Sequence, residues 1–175
     1  MIRSRLREEQ ILVVEPMPYY ANLIRDWLAD LGFSNICICA TVARARMLVV
    51  ETRFSALIID SKLEDGSGIK FAREIRLTPN ALNRLTPMII LDSRSTRRRI
   101  SAARDGGASE YVGKPMSRHS FVEHFQIAIS DTRSFIKASN FFGPDRRRRP
   151  NSWNGNDRRR QSPRRVSIES GLAES

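Results

Sequence analysis

Three acidic side chains stand at the ends of short apolar segments of the chain. Glu15 follows the apolar residues 11–14, while Asp60 and Asp92 each close a run of Leu and Ile residues. Open α/β sheets place their sites at the carboxyl ends of parallel strands. If the three segments are such strands, their carboxylates surround one crevice. Clustered carboxylates suit nucleophilic attack and the binding of hard cations.

The three segments belong to a pattern of five strands that alternate with five helices. Apolar residues recur at helical spacing after each strand, and Thr41 and Ser117 stand where helix N-caps are expected. The predicted strands cover 11–14, 36–40, 56–59, 88–91 and 111–112, and the predicted helices cover 20–31, 42–49, 69–75, 95–105 and 118–136, with a loop at 60–68. Short apolar strands between helices predict an α/β fold with a parallel sheet covered on both faces.

The charge distribution predicts a division of the 175 residues. Residues 1–137 carry 21 Lys and Arg against 15 Asp and Glu, whereas residues 138–175 carry 9 Arg against 4 acids and few apolar residues. Such a segment cannot build a second core. The prediction is an N-terminal extension at 1–8, one domain at 9–137, and a basic, disordered tail at 138–175 whose deletion leaves the domain folded.

The remaining composition excludes several classes of protein. Two cysteines are too few for a disulfide framework or a zinc site. The apolar residues 11–14 are too short for a signal-peptide core, which favours a soluble, cytoplasmic protein without membrane attachment. His119 and His124 are predicted on the surface of the last helix, so the sequence does not favour an enzyme in the ordinary sense.

At several separated places the chain resembles a two-component response-regulator receiver domain of the chemotaxis-regulator type. The resemblance covers roughly residues 9–137 and rests on Glu15, Asp60, the loop 60–68, the stretch 106–112 and the pair Lys114-Pro115, in the family's order and spacing. It implies a flavodoxin-like, doubly wound (βα)5 three-layer sandwich. The five parallel strands are then expected in the order 2-1-3-4-5.

The resemblance also implies a specific reaction at Asp60. This residue is the expected phosphoacceptor, which takes a phosphoryl group from a histidine kinase or phosphotransfer protein and forms an acyl phosphate. Mg2+ is the expected cofactor, held by Glu15, Asp60 and the backbone carbonyl of Lys62. Lys114 is expected to pair with the phosphoryl oxygens, and Pro115 is expected to follow a cis peptide bond.

Two positions depart from the family's pattern. Pro16 stands where receivers have a second acid, so magnesium binding is expected to be weakened. Asp92 stands where a hydroxyl usually contacts the phosphoryl group. A carboxylate about 5 Å from a phosphate charge would repel it by roughly 3 kcal/mol at an effective dielectric of about 20. Alternatively, Asp92 supplies a replacement metal ligand, and the sequence leaves both interpretations open.

Signal output is expected through protein–protein contacts to an unidentified downstream protein. Asp92, Tyr111 and Pro115 occupy the expected switch positions, with Tyr111 as the aromatic that changes rotamer. The basic cluster 94–99 is either a surface for an acidic partner or a solvated helix face.

The tail allows a second interpretation of the whole chain. It contains two copies of an aromatic residue followed by an arginine cluster, with Phe141-Phe142 before the first copy and Trp153 before the second. Such segments can bind nucleic acid or dock on an acidic protein. The alternative function is therefore a phosphorylation-independent scaffold that acts through this tail.

Overall fold

A computed structural model describes residues 9–145 and 164–166 of the chain. In chain order the elements are β1 (Gln10–Val14), α1 (Pro18–Asp30), β2 (Asn35–Cys39), α2 (Val42–Glu51), β3 (Ala56–Asp60), β4 (Lys62–Leu63), β5 (Gly66–Ser67), α3 (Gly68–Leu77), β6 (Met88–Asp92), α4 (Arg97–Asp105), β7 (Glu110–Gly113), α5 (Arg118–Ile129), β8 (Phe135–Ala138), β9 (Phe141–Pro144) and β10 (Arg164–Val166). The predicted extension at 1–8 lies outside the described residues.

The central sheet has five parallel strands in the order β2-β1-β3-β6-β7. This is the predicted order, because β6 and β7 are the fourth and fifth strands of the alternating pattern. The predicted fold class is therefore confirmed. The segment 60–68, predicted as a loop, contains the small antiparallel pair β4 and β5.

Strand alternation divides the core into two layers. Ile11, Val13 and Ile58 face a cluster completed by α1 and α5. Their neighbours Leu12 and Ile59 face the opposite cluster, which α2, α3 and α4 complete. Successive residues of a strand point to opposite faces, so a strand covered on both sides must be apolar throughout. None of the helices in the described residues is long and apolar enough to span a membrane.

Side-chain caps fix where four of the helices begin. Thr41, Ser67, Thr96 and Ser117 each accept a hydrogen bond from the backbone N–H three residues later. This pattern satisfies a donor that the helix leaves unpaired. The caps predicted at Thr41 and Ser117 are thus present. The cap at Thr96 places the start of α4 at Arg97, two residues after the predicted start.

The C-terminal end of the fold differs from the prediction. Helix α5 ends at Ile129, and Ile136, predicted as a helical position, lies in β8. Strands β8 and β9 form an antiparallel hairpin, to which β10 adds a third strand. The predicted boundary after residue 137 therefore falls within β8, and residues 138–145 are not a disordered tail. The remaining tail residues, including Trp153 and most of the arginines, lie outside the described residues.

A buried arginine attaches this hairpin to the domain. Arg76 of α3 is fully buried. Its Nε donates a hydrogen bond to the Gly107 carbonyl at 3.0 Å, and its Nη1 donates to the Arg84 carbonyl. The guanidinium carbon lies 5.0 Å from the Phe135 ring centroid. Burial lowers its pKa to about 9. Phe142 covers Phe135 at 5.3 Å between centroids, and the Arg84 guanidinium lies 3.8 Å from the Phe142 ring. The hairpin thus shields the Arg76 guanidinium from water, and a buried charge of this kind is stabilised only by hydrogen-bond partners such as the two carbonyls.

We predict that Phe142→Ala lowers the free energy of unfolding by about 3 kcal/mol, because it removes a large buried ring and exposes the Arg76 layer. Urea unfolding measures this loss. The adjacent half-buried Phe141 provides the control, and Phe141→Ala should cost less than half as much. Equal effects of the two substitutions would contradict the packing of β9 on α3.

Candidate functional site

The polar side chains predicted from the sequence meet at the carboxyl edge of the sheet. Glu15 follows β1, Asp60 and Asp92 end β3 and β6, and Lys114 follows β7. The three acids are 2%, 7% and 1% exposed, respectively. Buried carboxylates require counter-charges, so the partners of these three side chains define the site.

Lys114 joins two of the three carboxylates. Its Nζ donates hydrogen bonds to Glu15 Oε2 and to Asp60 Oδ2, and its side chain is 5% exposed. The ammonium also lies 4.3 Å from the ring centroid of Tyr20 in α1, a cation–π contact that the sequence did not single out. The Lys114-Pro115 peptide bond is cis, as the resemblance implied.

Glu15 remains incompletely compensated in this arrangement. Its Oε1 accepts a hydrogen bond from the Met17 N–H at 3.1 Å. Burial nevertheless raises the pKa of Glu15 above its usual value, although the hydrogen bond and charge of Lys114 act in the opposite direction. One ammonium shared between two carboxylates leaves a net negative charge. A further cation would therefore stabilise the charged form of Glu15.

The loop after β3 holds the Asp60 backbone and carboxylate in place. Asp60 Oδ1 accepts a hydrogen bond from the Lys62 N–H at 2.7 Å. The Gly68 N–H donates to the Ser61 carbonyl at 3.2 Å, and a Cβ at residue 68 would lie 2.0 Å from the Asp60 carbonyl oxygen. Only glycine fits at this close approach. Gly68, a residue of the loop on which the family resemblance rests, thus allows the close approach of the Asp60 backbone.

Asp92 has a partner that the sequence pattern did not assign. Its Oδ1 accepts the Arg94 N–H at 2.9 Å, and its Oδ2 accepts Arg99 Nε at 2.5 Å. Burial alone would raise the pKa of Asp92, but these two hydrogen bonds, together with the nearby hydroxyls of Tyr111 and Ser61, outweigh burial and lower the pKa. Arg99 Nη2 also donates to Ser61 Oγ at 2.9 Å. Arg99 therefore connects the end of β6 to the residue that follows Asp60.

This geometry bears on both interpretations of Asp92. The repulsion expected between Asp92 and a phosphoryl group assumes an uncompensated carboxylate, whereas Arg99 supplies the opposite charge. Both oxygens of Asp92 accept hydrogen bonds, and Arg99 is the cation that pairs with this carboxylate. Within the described residues, three or more His, Cys, Asp or Glu side chains do not cluster to hold a metal ion. The interpretation of Asp92 as a replacement ligand stays a prediction.

Strand alternation explains why Asp92 stays apart from the other two acids. Glu15 lies in phase with Val13, and Asp60 in phase with Ile58, on the layer of α1 and α5. Asp92 lies in phase with Ile90, which belongs to the opposite layer with α4.

Tyr111 lies beside Asp92 on the α4 side of the sheet. It pairs in register with Ile90, packs partly buried against the same cluster, and places its hydroxyl in the interior. Within the described residues this hydroxyl has no hydrogen-bond partner. Burial, together with the nearby charge of Asp92, raises the pKa of the phenol. The predicted switch aromatic is therefore inward-facing.

The basic cluster and the histidines divide between surface and interior. Arg94, Arg97 and Arg98 are exposed, whereas Arg99 is half-buried and turns towards Asp92. His119 is exposed as predicted. His124 is half-buried instead, and its Nδ1 lies 3.0 Å from Glu110 Oε2.

Known proteins share this fold and sequence pattern. A family model of the response regulator receiver domain matches residues 11–126. The transcriptional regulatory protein PdtaR of Mycobacterium tuberculosis is 34% identical over 124 residues, which cover 71% of this chain and 58% of PdtaR. The KDP operon transcriptional regulatory protein KdpE of Escherichia coli is 27% identical over 119 residues, which cover 68% of this chain and 50% of KdpE.

A solved structure is similar over the same region. It is the receiver domain of the sensor histidine kinase PA1611 from Pseudomonas aeruginosa, with a magnesium ion coordinated in its active-site cleft. Its TM-score is 0.62 at 26% identity, and the match covers 70% of this chain and 98% of that domain.

The chain belongs to the response regulator receiver family. Receiver domains are signalling modules of two-component phosphorelays, and this domain is homologous to those of response regulators and of histidine kinases. The chain spans between half and three fifths of the length of the two regulators that it matches.

We predict that Arg99→Gln lowers the free energy of unfolding by about 1 kcal/mol at pH 7. The substitution leaves a buried carboxylate without its counter-charge, and the partial exposure of Arg99 limits the loss. Urea unfolding of both proteins between pH 3 and pH 7 measures the effect.

The pKa of Asp92 determines how the loss of stability in Arg99→Gln changes with pH. Because the folded pKa is lowered, the ion pair contributes fully above the unfolded pKa of about 3.9, and its contribution is lost as the pH falls through the folded pKa. The difference between the two proteins should shrink in acid. Arg98→Gln removes an exposed charge from the same helix and should change stability little. A similar loss in both variants would contradict the pairing.

Proposed function

We propose that Asp60 accepts a phosphoryl group and that Lys114 is its cationic partner. The observation that carries the proposal is the bond from the buried Lys114 ammonium to Asp60 Oδ2, at the carboxyl edge of a receiver fold. An ammonium in this position neutralises charge that develops on a transferring phosphoryl group. The N–H of Lys62 holds the other carboxylate oxygen and fixes the orientation of the nucleophile.

The proposed reaction exchanges one covalent bond for another. A carboxylate oxygen of Asp60 attacks phosphorus, a P–O bond forms, and the P–N bond of a phosphohistidine donor breaks. The histidine leaves with the bonding electron pair and takes up a proton from solvent. The product is an acyl phosphate on Asp60. No side chain of this domain needs to transfer a proton in the step.

The residues around Asp60 suit a divalent cation. Glu15 and Asp60 are buried carboxylates that share one ammonium, and Glu15 gains from a further positive charge. We propose that these two carboxylates and the Lys62 backbone carbonyl hold Mg2+, which keeps several of its waters in such sites. When bound, the ion neutralises charge on the phosphoryl oxygens. Pro16 contributes no oxygen, so we expect weaker binding than a third carboxylate would allow.

The proposed partners follow from the reaction. The donor is a histidine kinase or phosphotransfer protein, and the output is a contact with a downstream protein. We place this exchange in the cytoplasm. The alternative of a phosphorylation-independent scaffold with a nucleic-acid-binding tail depends on arginines outside the described residues, and the proteins similar to this chain give it no support. It stays a prediction.

We predict that the wild-type protein gains the mass of one phosphoryl group with acetyl phosphate and Mg2+, and that Asp60→Asn abolishes this gain. Intact-mass spectrometry measures it directly. Asp26→Asn changes an exposed carboxylate of α1 in the same way and should leave the gain unchanged. A gain that persists in Asp60→Asn would place the phosphoryl group elsewhere, and no gain in the wild type would favour the scaffold.

We further predict that Glu15→Gln raises the Mg2+ concentration for half-maximal phosphorylation by about tenfold, because it removes one of two charged ligands. Pro16→Asp should lower that concentration. A magnesium titration with the same mass readout measures both shifts. Glu64→Gln, an exposed change in the neighbouring loop, is the control. An unchanged midpoint in Glu15→Gln would exclude Glu15 as a ligand.

A further inference from the structure

Arg99 occupies a position between the acceptor and the output helix. It is the third residue of α4, and its guanidinium spans from Asp92 at the end of β6 to Ser61, the residue after Asp60. Its side chain is 35% exposed, so the group lies at the mouth of the site and not in the core.

We propose that Arg99 binds the phosphoryl group on Asp60 and thereby transmits its presence to α4. The inference rests on the proposed phosphorylation of Asp60. Arg99 would take the place that a hydroxyl at residue 92 has in related receivers. Because the guanidinium sits on α4 itself, the phosphoryl contact and the helix movement involve the same residue.

The chemistry of the two groups suits this contact. A guanidinium presents five N–H donors in a planar fork that matches phosphate oxygens. Nε is held by Asp92 and Nη2 by Ser61 Oγ, a neutral acceptor. A phosphoryl group on the residue next to Ser61 carries about two negative charges, compared with one on Asp92. The phosphoryl group therefore competes with Ser61 first and with Asp92 second.

A donor is available to Asp92 if Arg99 turns away. The Tyr111 hydroxyl is buried and has no partner at good hydrogen-bond geometry within the described residues. Ser95 and Asp92 are the polar side chains close enough to act on its pKa. An unpaired buried hydroxyl is unfavourable, and a carboxylate released by Arg99 is a suitable acceptor. The exchange thus satisfies Tyr111 and keeps Asp92 hydrogen-bonded.

The helix that carries Arg99 is lightly anchored. Ala103 is the one buried residue of α4, whereas α1 buries four. A helix with little buried apolar surface shifts at low cost in free energy. Movement of Arg99 towards the phosphoryl group therefore displaces the first turn of α4. Arg97 and Arg98 of this turn, with Arg94 just before the helix, form an exposed basic surface. That surface would change position with the phosphorylation state.

Two measurements on the full chain test the proposal. The first is intact mass after acetyl phosphate and Mg2+, which reports phosphorylation alone. The second is hydrogen exchange of residues 97–105 with and without acetyl phosphate, which reports the response of α4. We expect the wild type and Arg98→Gln to gain the phosphoryl mass and to change exchange in α4. We expect Arg99→Gln to lose the exchange response when the variants are compared at the same phosphorylated fraction, which the mass measurement gives.

The outcomes separate the two proposals. No mass gain in the wild type overturns the acceptor role of Asp60. A mass gain in Arg99→Gln with an unaltered α4 response overturns the role of Arg99 and leaves Asp60 in place.

A third measurement covers the case in which Arg99→Gln does not fold. The side-chain Nε–H resonance of Arg99, assigned through the charge-conserving Arg99→Lys, should shift in the wild type when beryllofluoride and Mg2+ occupy Asp60. The Arg98 resonance should stay unchanged. An Arg99 resonance that does not move, in protein whose Asp60 is occupied, overturns the proposal.

Discussion

Three carboxylates buried at one edge of the sheet impose the constraint on which the rest of the site depends. Glu15, Asp60 and Asp92 are each at most 7% exposed, and buried charges of one sign are unfavourable without opposite charges beside them. Lys114 compensates the first two acids in part, since one ammonium serves two carboxylates, and Arg99 compensates the third. Lys114 follows β7, and Arg99 lies in the first turn of α4. The acids are therefore stabilised only when both ends of that α/β unit are in place.

The same geometry gives the two departures from the family's pattern unequal consequences. Pro16 brings no side-chain oxygen to the side of the edge where Glu15 and Asp60 meet. Asp92 faces α4 and has its own counter-charge, so it leaves the Glu15–Asp60 side unchanged. Ser61 lies where the two sides join, because its hydroxyl accepts from Arg99 while its backbone continues from Asp60. The proposed metal ligands and the contact of Asp92 with α4 thus lie on different sides of the same edge.

The C-terminal hairpin extends the fold at the opposite end of β7 from Lys114. Arg76 lies under it and donates to the carbonyl of Gly107, three residues before β7 begins. Phe135 and Phe142 close the layer over the guanidinium. The hairpin therefore protects a buried charge next to the strand that leads into the site. The hairpin therefore contributes to the stability of the receiver fold, separately from any function of the arginine-rich residues that follow it.

The sequence by itself determined the alternation of strands and helices, the strand order through the family resemblance, and the meeting of Glu15, Asp60 and Lys114. The alternation and the acids at the strand ends depend on local periodicity, which a chain displays directly. The strand order and the place of Lys114 came from the resemblance to the family. The tertiary structure alone decided that Arg99, and not its exposed neighbours in the 94–99 cluster, turns inward. That choice depends on the helix phase set by the Thr96 cap and on Asp92 in another element. The tertiary structure also decided that residues 138–145 fold as strands of the hairpin. Their few apolar side chains form no local pattern, and they are stabilised only by packing over Arg76 and α3, contacts that are distant in sequence.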